Sequence, residues 1–249
     1  MRTVQDVYII FRNELAMTMR IKFALIIGLI QPFVYLLLFG PLLTRALPNG
    51  HDAWRFYIPG LLVQLGLFAT GYAGFNLIPD MRSGFIERMR VTPVSRLALL
   101  LGRMIRDAVV LLIQAIPLLI MGFIMGMRAP ILGVLIGLIF VLVMGVSLSA
   151  LSYTLALGLP NEYLFAPVLN SVAVPLMLLS GILLPLSFAP KWLDWIAHAN
   201  PLRYIVDAIR DLFAGQYTAG GVGIGVLVAF GLAILSTWYG LRIFNRRTA

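Results

Sequence analysis

The chain has 249 residues, of which 61% are hydrophobic and 12% are charged, and its formal net charge is +9. A soluble domain is about 45–50% apolar and about 25% charged, so this composition excludes a water-soluble globule and requires lipid as the solvent for much of the surface. The lack of cysteine excludes disulfides and thiolate sites, and His51 and His198 have no ligand spacing, so we expect no metal site.

Residues 3–20 precede the first apolar run and predict an amphipathic helix that lies in the membrane interface. Ile9 and Ile10 interrupt the polar side of this pattern, and an ordinary frayed terminus is the alternative. Because the first 22 residues are polar and mixed in charge, we expect no cleavable signal peptide. The apolar positions at helical spacing are Val4, Val7, Tyr8, Phe11, Leu15 and Met19.

Six apolar runs follow that are long enough to cross a bilayer as helices, since a hydrocarbon core of about 30 Å needs about 20 residues. The sequence therefore predicts an all-α polytopic membrane protein that forms a single transmembrane domain over residues 1–249. The predicted spans are 23–43, 56–78, 105–127, 131–157, 164–184 and 222–244.

Charged side chains are nearly absent from these spans. A proton- or sodium-coupled transporter needs titratable or ion-coordinating groups near the midplane, so the sequence disfavours that class of protein. Asp80 and Asp107 lie at the membrane borders, where we expect them to pair with nearby arginines. An intramembrane enzyme also lacks support, because neither a carboxylate dyad nor a His-Glu-x-x-His pattern is present.

Neutral polar side chains remain in the spans, where they either bond between helices or contact a substrate along its path. Gly133, Gly137 and Gly145 of the fourth span favour close packing within the subunit. The neutral polar residues are Gln31, Gln64, Asn76, Gln114, Ser147, Ser149, Ser152, Asn170 and Ser171. Our candidates for a substrate path are Gln31, Tyr35, Gln64, Phe68, Asn170 and Met177.

The segment between the second and third spans, residues 79–106, is basic and contains six arginines. Because Pro93 disfavours helix at Thr92, we expect two short helices joined by a turn. The segment is either an ordinary positive-inside loop or a rigid seat for a soluble partner that carries motion into the neighbouring spans.

The segment between the fifth and sixth spans, residues 185–221, contains three prolines and predicts short helices at 191–198 and 202–213. Neither helix is long enough to cross a membrane. Arg203 and Asp207 are four residues apart and are expected to pair. The second helix has one apolar face, formed by Leu202, Ile205, Val206, Ile209, Leu212 and Phe213.

The placement of the basic residues predicts the orientation. With the amino terminus inside, the inner segments carry 13 of the 19 lysines and arginines and the outer segments carry 6. Both termini are therefore expected in the cytoplasm. The positive net charge then reflects membrane orientation, so we expect no nucleic-acid partner.

No G-x-x-x-x-G-K-[ST] phosphate loop occurs in the sequence, so the chain has no device of that kind for holding ATP. Two possibilities follow. The protein is either passive, as a channel or membrane scaffold, or it is driven by a partner that hydrolyses ATP.

Two motifs resemble the signature of type-2 ABC exporter permeases, the family of daunorubicin-type drug exporters and nodulation-factor exporters. The string GFIERMRVTPVSRLALLLGR, residues 84–103, has an acidic residue and arginine followed by T-P-x-S/T-R. The string LLSGILLPLSFAPKWLDWIAHANPLRYIVDAIR, residues 178–210, has S-G, P-x-W, N-P-L-x-Y and D-x-x-R in order. The six-span layout also agrees, so the resemblance covers the whole chain.

The resemblance implies a transport subunit that is not itself an enzyme and holds no cofactor. Two copies of a soluble ATPase subunit would bind ATP and Mg²⁺, and a second permease, identical or homologous, would complete the path. The location implied is the bacterial cytoplasmic membrane, with both termini on the cytoplasmic side.

The resemblance also implies roles for two sets of residues and includes no catalytic residue. The N-terminal helix and residues 83–96 would contact the ATPases, and residues 185–213 would form re-entrant half-helices that narrow the outer exit. The coupling positions are Phe85, Glu87, Arg88, Met89, Thr92, Pro93, Ser95 and Arg96. The outer positions are Ser180, Gly181, Pro185, Pro190, Trp192, Asn200, Pro201, Tyr204, Asp207 and Arg210.

The substrate implied is a hydrophobic or amphipathic molecule, such as a drug, lipid or glycolipid, that moves outward. Apolar walls between the spans favour such molecules. A polysaccharide or other glycan is the alternative within the same family, and a passive channel or scaffold is the alternative outside it.

Overall fold

The computed structural model describes residues 2–46, 50–82, 96–183, 186 and 189–247, and over these ranges it contains α-helices, 3₁₀ turns and connecting segments but no strand. The all-α prediction is thus confirmed. Short 3₁₀ turns occur at Ala73–Asn76 and Glu162–Leu164. The α-helices are α1 (Arg2–Arg20), α2 (Lys22–Ala46), α3 (Gly50–Gly71), α4 (Leu77–Arg82), α5 (Arg96–Ile124), α6 (Ile131–Gly158), α7 (Phe165–Leu179), α8 (Lys191–His198), α9 (Pro201–Phe213) and α10 (Gly220–Arg247).

Six stretches of the described chain have the length and apolar composition needed to cross a membrane, which confirms the six predicted spans. The chain is therefore a multi-pass membrane protein. The stretches are Leu25–Leu42, Ala53–Pro79, Leu97–Ile124, Ile131–Gly158, Glu162–Leu179 and Gly220–Ile243.

The third span starts at Leu97, eight residues before the predicted position at 105, because α5 runs without interruption from Arg96. The second short helix expected after Pro93 is therefore the first part of this span rather than a separate element. The fifth span is shorter than predicted. Its helix ends at Leu179, and Gly181 follows with a φ of +72°, a conformation that glycine adopts without the steric cost of a Cβ.

Helix α3 lies at the centre of the bundle and packs against α2, α5, α6 and α9. Tyr57, Ile58 and Leu61 on α3 are completely buried. The amphipathic face predicted for 202–213 is also confirmed, since its six apolar residues are buried at one end of the bundle. Helix α9 thus fills that end of the bundle.

Helix α1 extends over the predicted residues. The side of the helix that packs against the rest of the protein is not the same as the predicted apolar stripe. Ile10, which the pattern placed on the polar side, packs against α5, where a Cβ added to Gly102 would lie 2.8 Å from Ile10 Cγ2. Val4 and Tyr8 of the predicted stripe are exposed and face outward. The helix therefore has a protein-contact face beside its apolar outer face, and its position in the membrane interface stays a prediction.

Helix α6 uses its small residues for packing within the chain, as predicted. Gly133 lies against the backbone of Leu212, and Gly145 lies against the side chain of Leu111. A Cβ at Gly133 would displace the backbone of the neighbouring helix, whereas a Cβ at Gly145 would require the Leu111 side chain to shift.

Candidate functional site

A cavity of about 940 Å³ lies between α2, α3, α5 and α7, in the half of the bundle that is predicted to face the cytoplasm. Its volume is within the range of about 300–1,000 Å³ that is usual for small-molecule sites. Leu25, Ile27, Leu65, Val110 and Val174 supply apolar wall. The cavity therefore suits a molecule with a largely apolar body.

Carboxamide side chains are the main neutral polar groups of this wall, and they come from each of the four helices or the turn after α3. Gln64 and Gln114 are almost fully buried, at 1% and 5% exposure. All five carboxamides among the neutral span residues noted in the sequence line the cavity. They are Gln31, Gln64, Asn76, Gln114 and Asn170.

The serines of the spans differ from these carboxamides, because each serine hydroxyl forms a hydrogen bond with backbone. Ser147, Ser149 and Ser171 each donate to a carbonyl of their own helix, at 2.8–3.0 Å. Ser152 of α6 joins two elements, since its Oγ accepts from the Gly74 amide at 2.8 Å and donates to the Gly71 carbonyl. Bonding between helices, one of the two expected roles, is thus seen for Gln114 and Ser152, and contact with a substrate stays a prediction.

Gln64 and Gln114 are not satisfied within the part of the chain that the structure describes. Both side-chain polar atoms of Gln64 are buried without a hydrogen-bond partner. Gln114 Nε2 donates to the Leu25 carbonyl at 3.2 Å, but its Oε1 is also unpartnered. A Cβ at Gly28 would lie 2.5 Å from Gln114 Nε2, so glycine at that position makes room for the amide.

A cluster of charged side chains forms one edge of the cavity and joins α1, α5 and α6. Arg103 Nε lies 3.0 Å from Glu14 Oε1, and Arg106 lies 3.6 Å from Glu14 and 3.2 Å from Asp107. The Tyr153 hydroxyl donates to Asp107 at 2.5 Å. The expected pairing of Asp107 with an arginine is confirmed. The two arginines and two carboxylates have opposite charges in equal number, which offsets the cost of burying them.

Arg210 of α9 holds the opposite end of the bundle together. Its Nε donates to the Phe56 carbonyl at 3.1 Å, and its Nη2 donates to the Gly181 carbonyl at 2.7 Å. The guanidinium also lies 3.6 Å from the centroid of the Phe56 ring and 3.3 Å from Asp207. Burial lowers the pKa of Arg210 to about 10, so the side chain stays protonated at neutral pH.

Two further outer candidates position the short helices. Asn200 caps α9, since its Oδ1 accepts from the Leu202 amide at 3.0 Å, and its Nδ2 donates to the Leu176 carbonyl at 2.6 Å. The Tyr204 hydroxyl donates to the His198 carbonyl at 2.9 Å. Asn200 therefore ties α9 to α7, and Tyr204 ties it to α8.

The remaining outer candidates have smaller roles. Ser180 donates to the Met177 carbonyl at 2.7 Å, while Pro190 precedes α8 and Pro201 is the first residue of α9. Trp192 is 65% exposed and takes no part in the contacts of Arg210. Pro185 lies outside the described residues.

The expected pair between Arg203 and Asp207 is present at 3.9 Å, but Arg203 is closer to Asp194 of α8, at 2.7 Å. The main partner of Arg203 is thus a residue that the spacing along one helix did not indicate.

The coupling positions are largely outside the described part of the chain. Residues 83–95 are not described, and this range includes Phe85, Glu87, Arg88, Met89, Thr92, Pro93 and Ser95. Arg96 begins α5, and α4 ends at Arg82. The segment therefore connects directly to α5, which carries Gln114 and the charge cluster.

Four of the six predicted path residues, Gln31, Gln64, Phe68 and Asn170, meet in the cavity wall, whereas Tyr35 and Met177 lie elsewhere. The Tyr35 ring packs against Phe39 with centroids 5.8 Å apart, and Met177 is buried in the core. Both follow a cavity-lining residue by about one helical turn, which takes them beyond the cavity.

The wall also includes Gln114, Arg106 and Asp107, which were not among the path candidates. Gln114 was visible in the sequence as a polar residue within a span. The pairing of Asp107 with an arginine was expected, but the contact with Glu14 was not, because Glu14 is 89 residues from Arg103 along the chain.

The sequence model of one protein family, described as ABC-2 type transporter, matches residues 5–214. The chain is 27% identical over 223 residues to the daunorubicin resistance ABC transporter permease protein DrrB1 of Streptomyces coeruleorubidus, covering 88% of this chain and 79% of that protein. It is 29% identical over 217 residues to a protein described as transport permease ycf38 of Cyanophora paradoxa, covering 85% and 75%. It is also 26% identical over 171 residues to a Mycobacterium tuberculosis protein described as doxorubicin resistance ABC transporter permease protein DrrC, covering 66% and 60%.

Proposed function

The chain belongs to the ABC-2 type transporter family, and from this we propose that it is the membrane-spanning subunit of an exporter driven by a separate ATPase. The proposed cargo is a hydrophobic or amphipathic small molecule. Relatives named for daunorubicin and doxorubicin resistance support a drug-like cargo over a glycan polymer.

The observation that carries this proposal is the asymmetry of the bundle. One half contains a cavity of about 940 Å³ between four helices, and the other half is filled by α9 and held by Arg210. A cavity closed at one end fits an alternating-access cycle, in which a second conformation opens the filled end. With both termini in the cytoplasm, this arrangement would be the inward-facing state.

The energy source is proposed to lie in a partner, because the chain has no phosphate loop. Two ATPase subunits, holding ATP and Mg²⁺, would pair with two permeases in the bacterial cytoplasmic membrane. The ATPases would contact residues 83–96 and the N-terminal helix.

The contacts of α5 support a route from the ATPase to the cavity. The helix begins at the end of the coupling segment, packs on α1 through Gly102 and Ile10, and binds Glu14 through Arg103. A displacement of the coupling segment would therefore move α1 and α5 together. Because α5 carries Gln114, that movement would change the cavity wall.

Affinity purification of the chain from native membranes tests the proposed function. We expect a soluble subunit with a Walker phosphate loop to co-purify, and to hydrolyse ATP faster when the chain is present. Purified chain that moves cargo uphill in vesicles without nucleotide would contradict the proposal, as would a native complex that lacks an ATPase.

Glu87→Ala and Arg88→Ala are expected to reduce transport without unfolding the chain, because these residues would transmit movement rather than pack a core. A lost coupling free energy of about 1–3 kcal/mol corresponds to at least a fivefold reduction in ATPase stimulation and export in proteoliposomes. Arg90→Ala is the matched control, since it removes a positive charge nearby but outside the matched motif. Equal effects of Arg88→Ala and Arg90→Ala would mean that the segment acts only as a positive-inside loop.

A further inference from the structure

The cavity contains buried hydrogen-bonding groups that the protein does not satisfy. Gln64 is 1% exposed, and neither of its side-chain polar atoms has a partner within the described part of the chain. Leaving such a group unpaired costs about 1–3 kcal/mol, and folded proteins contain few examples. A leucine of similar volume would avoid this cost, so the position carries a penalty that packing does not explain.

Gln64 is placed to meet a molecule in the cavity rather than another helix. Phe68, one turn further along α3, lines the same wall, so both residues lie on the cavity face of the helix. Gln114 on α5 also lines the cavity and has an unpartnered Oε1. The two side chains that carry these unsatisfied atoms thus line the cavity from two helices, within a wall that is otherwise largely apolar.

The charges at the cavity edge are already matched to one another. Arg106 and Asp107 are 3.2 Å apart, and Arg106 also pairs with Glu14. A charged ligand would have to compete with these contacts, while a neutral ligand would not. The unpartnered polar atoms of the wall belong to Gln64, Gln114 and Arg106, among the described residues. Arg106 Nε only donates, whereas the carboxamides both donate and accept hydrogen bonds.

We propose that the cavity binds neutral amphipathic molecules whose apolar body carries hydroxyl groups, and that Gln64 determines specificity for these groups. This inference rests on the proposed function and defines the class of cargo. A molecule without hydroxyl groups would leave the amide oxygens of Gln64 and Gln114 unpaired, which lowers its affinity relative to a hydroxylated analogue.

Binding of two steroids to the full chain in lipid nanodiscs tests the inference. Cortisol and progesterone share a fused-ring skeleton, and cortisol carries additional hydroxyl groups. After subtraction of binding to empty nanodiscs, we expect cortisol to bind at least about tenfold more tightly, equivalent to about 1.4 kcal/mol. Gln64→Leu is expected to bring the two affinities to within about twofold, chiefly by weakening cortisol.

A matched control is Ser236→Ala, which removes a buried hydroxyl that bonds to Ala233 within α10, away from the cavity wall. It is expected to keep the preference for cortisol. Gln64→Met provides a second apolar replacement, and thermal unfolding should show both Gln64 variants folded and at least as stable as the unmodified chain.

Several results would overturn the inference. These are equal affinities for the two steroids, no binding of either, or a preference for cortisol that persists in folded Gln64→Leu and Gln64→Met. A preference that persists would mean that the Gln64 amide binds an ordered water rather than the ligand. Loss of subunit assembly in these variants would mean that the amide contacts a second copy of the chain. Since the measurement needs no ATPase, its failure would leave the co-purification test of the exporter unaffected.

Discussion

Replacing Arg210 by alanine is expected to lower the free energy of unfolding by about 3 kcal/mol, because two carbonyls in partly buried hydrogen bonds lose a charged donor worth about 1.5–3 kcal/mol each. These carbonyls belong to Phe56 on α3 and Gly181 after α7, so the side chain joins three parts of the outer end. Titration of the purified chain with sodium dodecyl sulfate, followed by circular dichroism, measures the change.

Arg210→Lys separates charge from shape. A lysine keeps the positive charge, but its ammonium group lacks the planar fork that reaches both carbonyls while stacking on Phe56. We expect it to recover less than half of the loss. Asp207→Asn is the control for the ion pair, and should cost at most about 1 kcal/mol because that carboxylate is half exposed. A larger effect for Asp207→Asn than for Arg210→Lys would show that the ion pair, not the carbonyl contacts, stabilises this end.

The same contacts have a consequence for transport under the proposed function. Opening the outer end requires α9 to separate from α3 or from the chain after α7, and the Arg210 bonds cross both boundaries. Weakening them would favour the outward-open state. In proteoliposomes, Arg210→Lys would then show increased passive leak of cargo in the absence of ATP.

The spans and the outer segment were predictable from the sequence for different physical reasons. A membrane span needs only length and apolar composition, so the number of spans did not depend on knowing any contact. Helix α9 buries Leu202, Ile205 and Phe213 in the bundle while Asp207 remains half exposed, so the two sides of the helix differ in chemistry. The buried face of α9 could therefore be predicted from the spacing of its apolar residues.

The contact faces of the long helices were not predictable in the same way. Lipid and protein interior are both apolar, so residues facing either have similar character. In α6, for example, Phe140 is buried and Ile139 is 52% exposed, although both are large and apolar. The contact face of α1 was only partly predicted for a related reason. Val7 of the predicted stripe and Ile10 outside it both lie against Gly102, and both are apolar.

The candidate site was partly predictable because its polar groups stand out in apolar spans. Gln31, Gln64 and Asn170 were identified by residue type, but the meeting of four helices around them depends on tertiary packing. The unsatisfied state of Gln64 was beyond sequence reasoning. Whether an amide has a partner is decided by atoms on neighbouring helices, not by its own surroundings along the chain.

Asp107→Asn is expected to lower the free energy of unfolding by about 3–5 kcal/mol, since it removes one member of a buried ion pair. In this variant the buried Arg106 loses the carboxylate nearest to it, at 3.2 Å, and keeps the more distant Glu14, at 3.6 Å. Tyr153→Phe removes only the hydroxyl that donates to Asp107, and should cost less, about 1.5–3 kcal/mol. The detergent titration used for Arg210 measures both.

The double variant Arg106→Gln with Asp107→Asn tests whether charge balance is the cause. It leaves Arg103 and Glu14 as a pair at 3.0 Å and removes both remaining charges of the cluster, so it should be more stable than Asp107→Asn alone by about 1 kcal/mol or more. If the double variant is less stable than the single variant, packing and hydrogen-bond geometry outweigh charge. In that case Arg106 would stabilise the contact between α1 and α5 chiefly through its shape and its bond to Glu14.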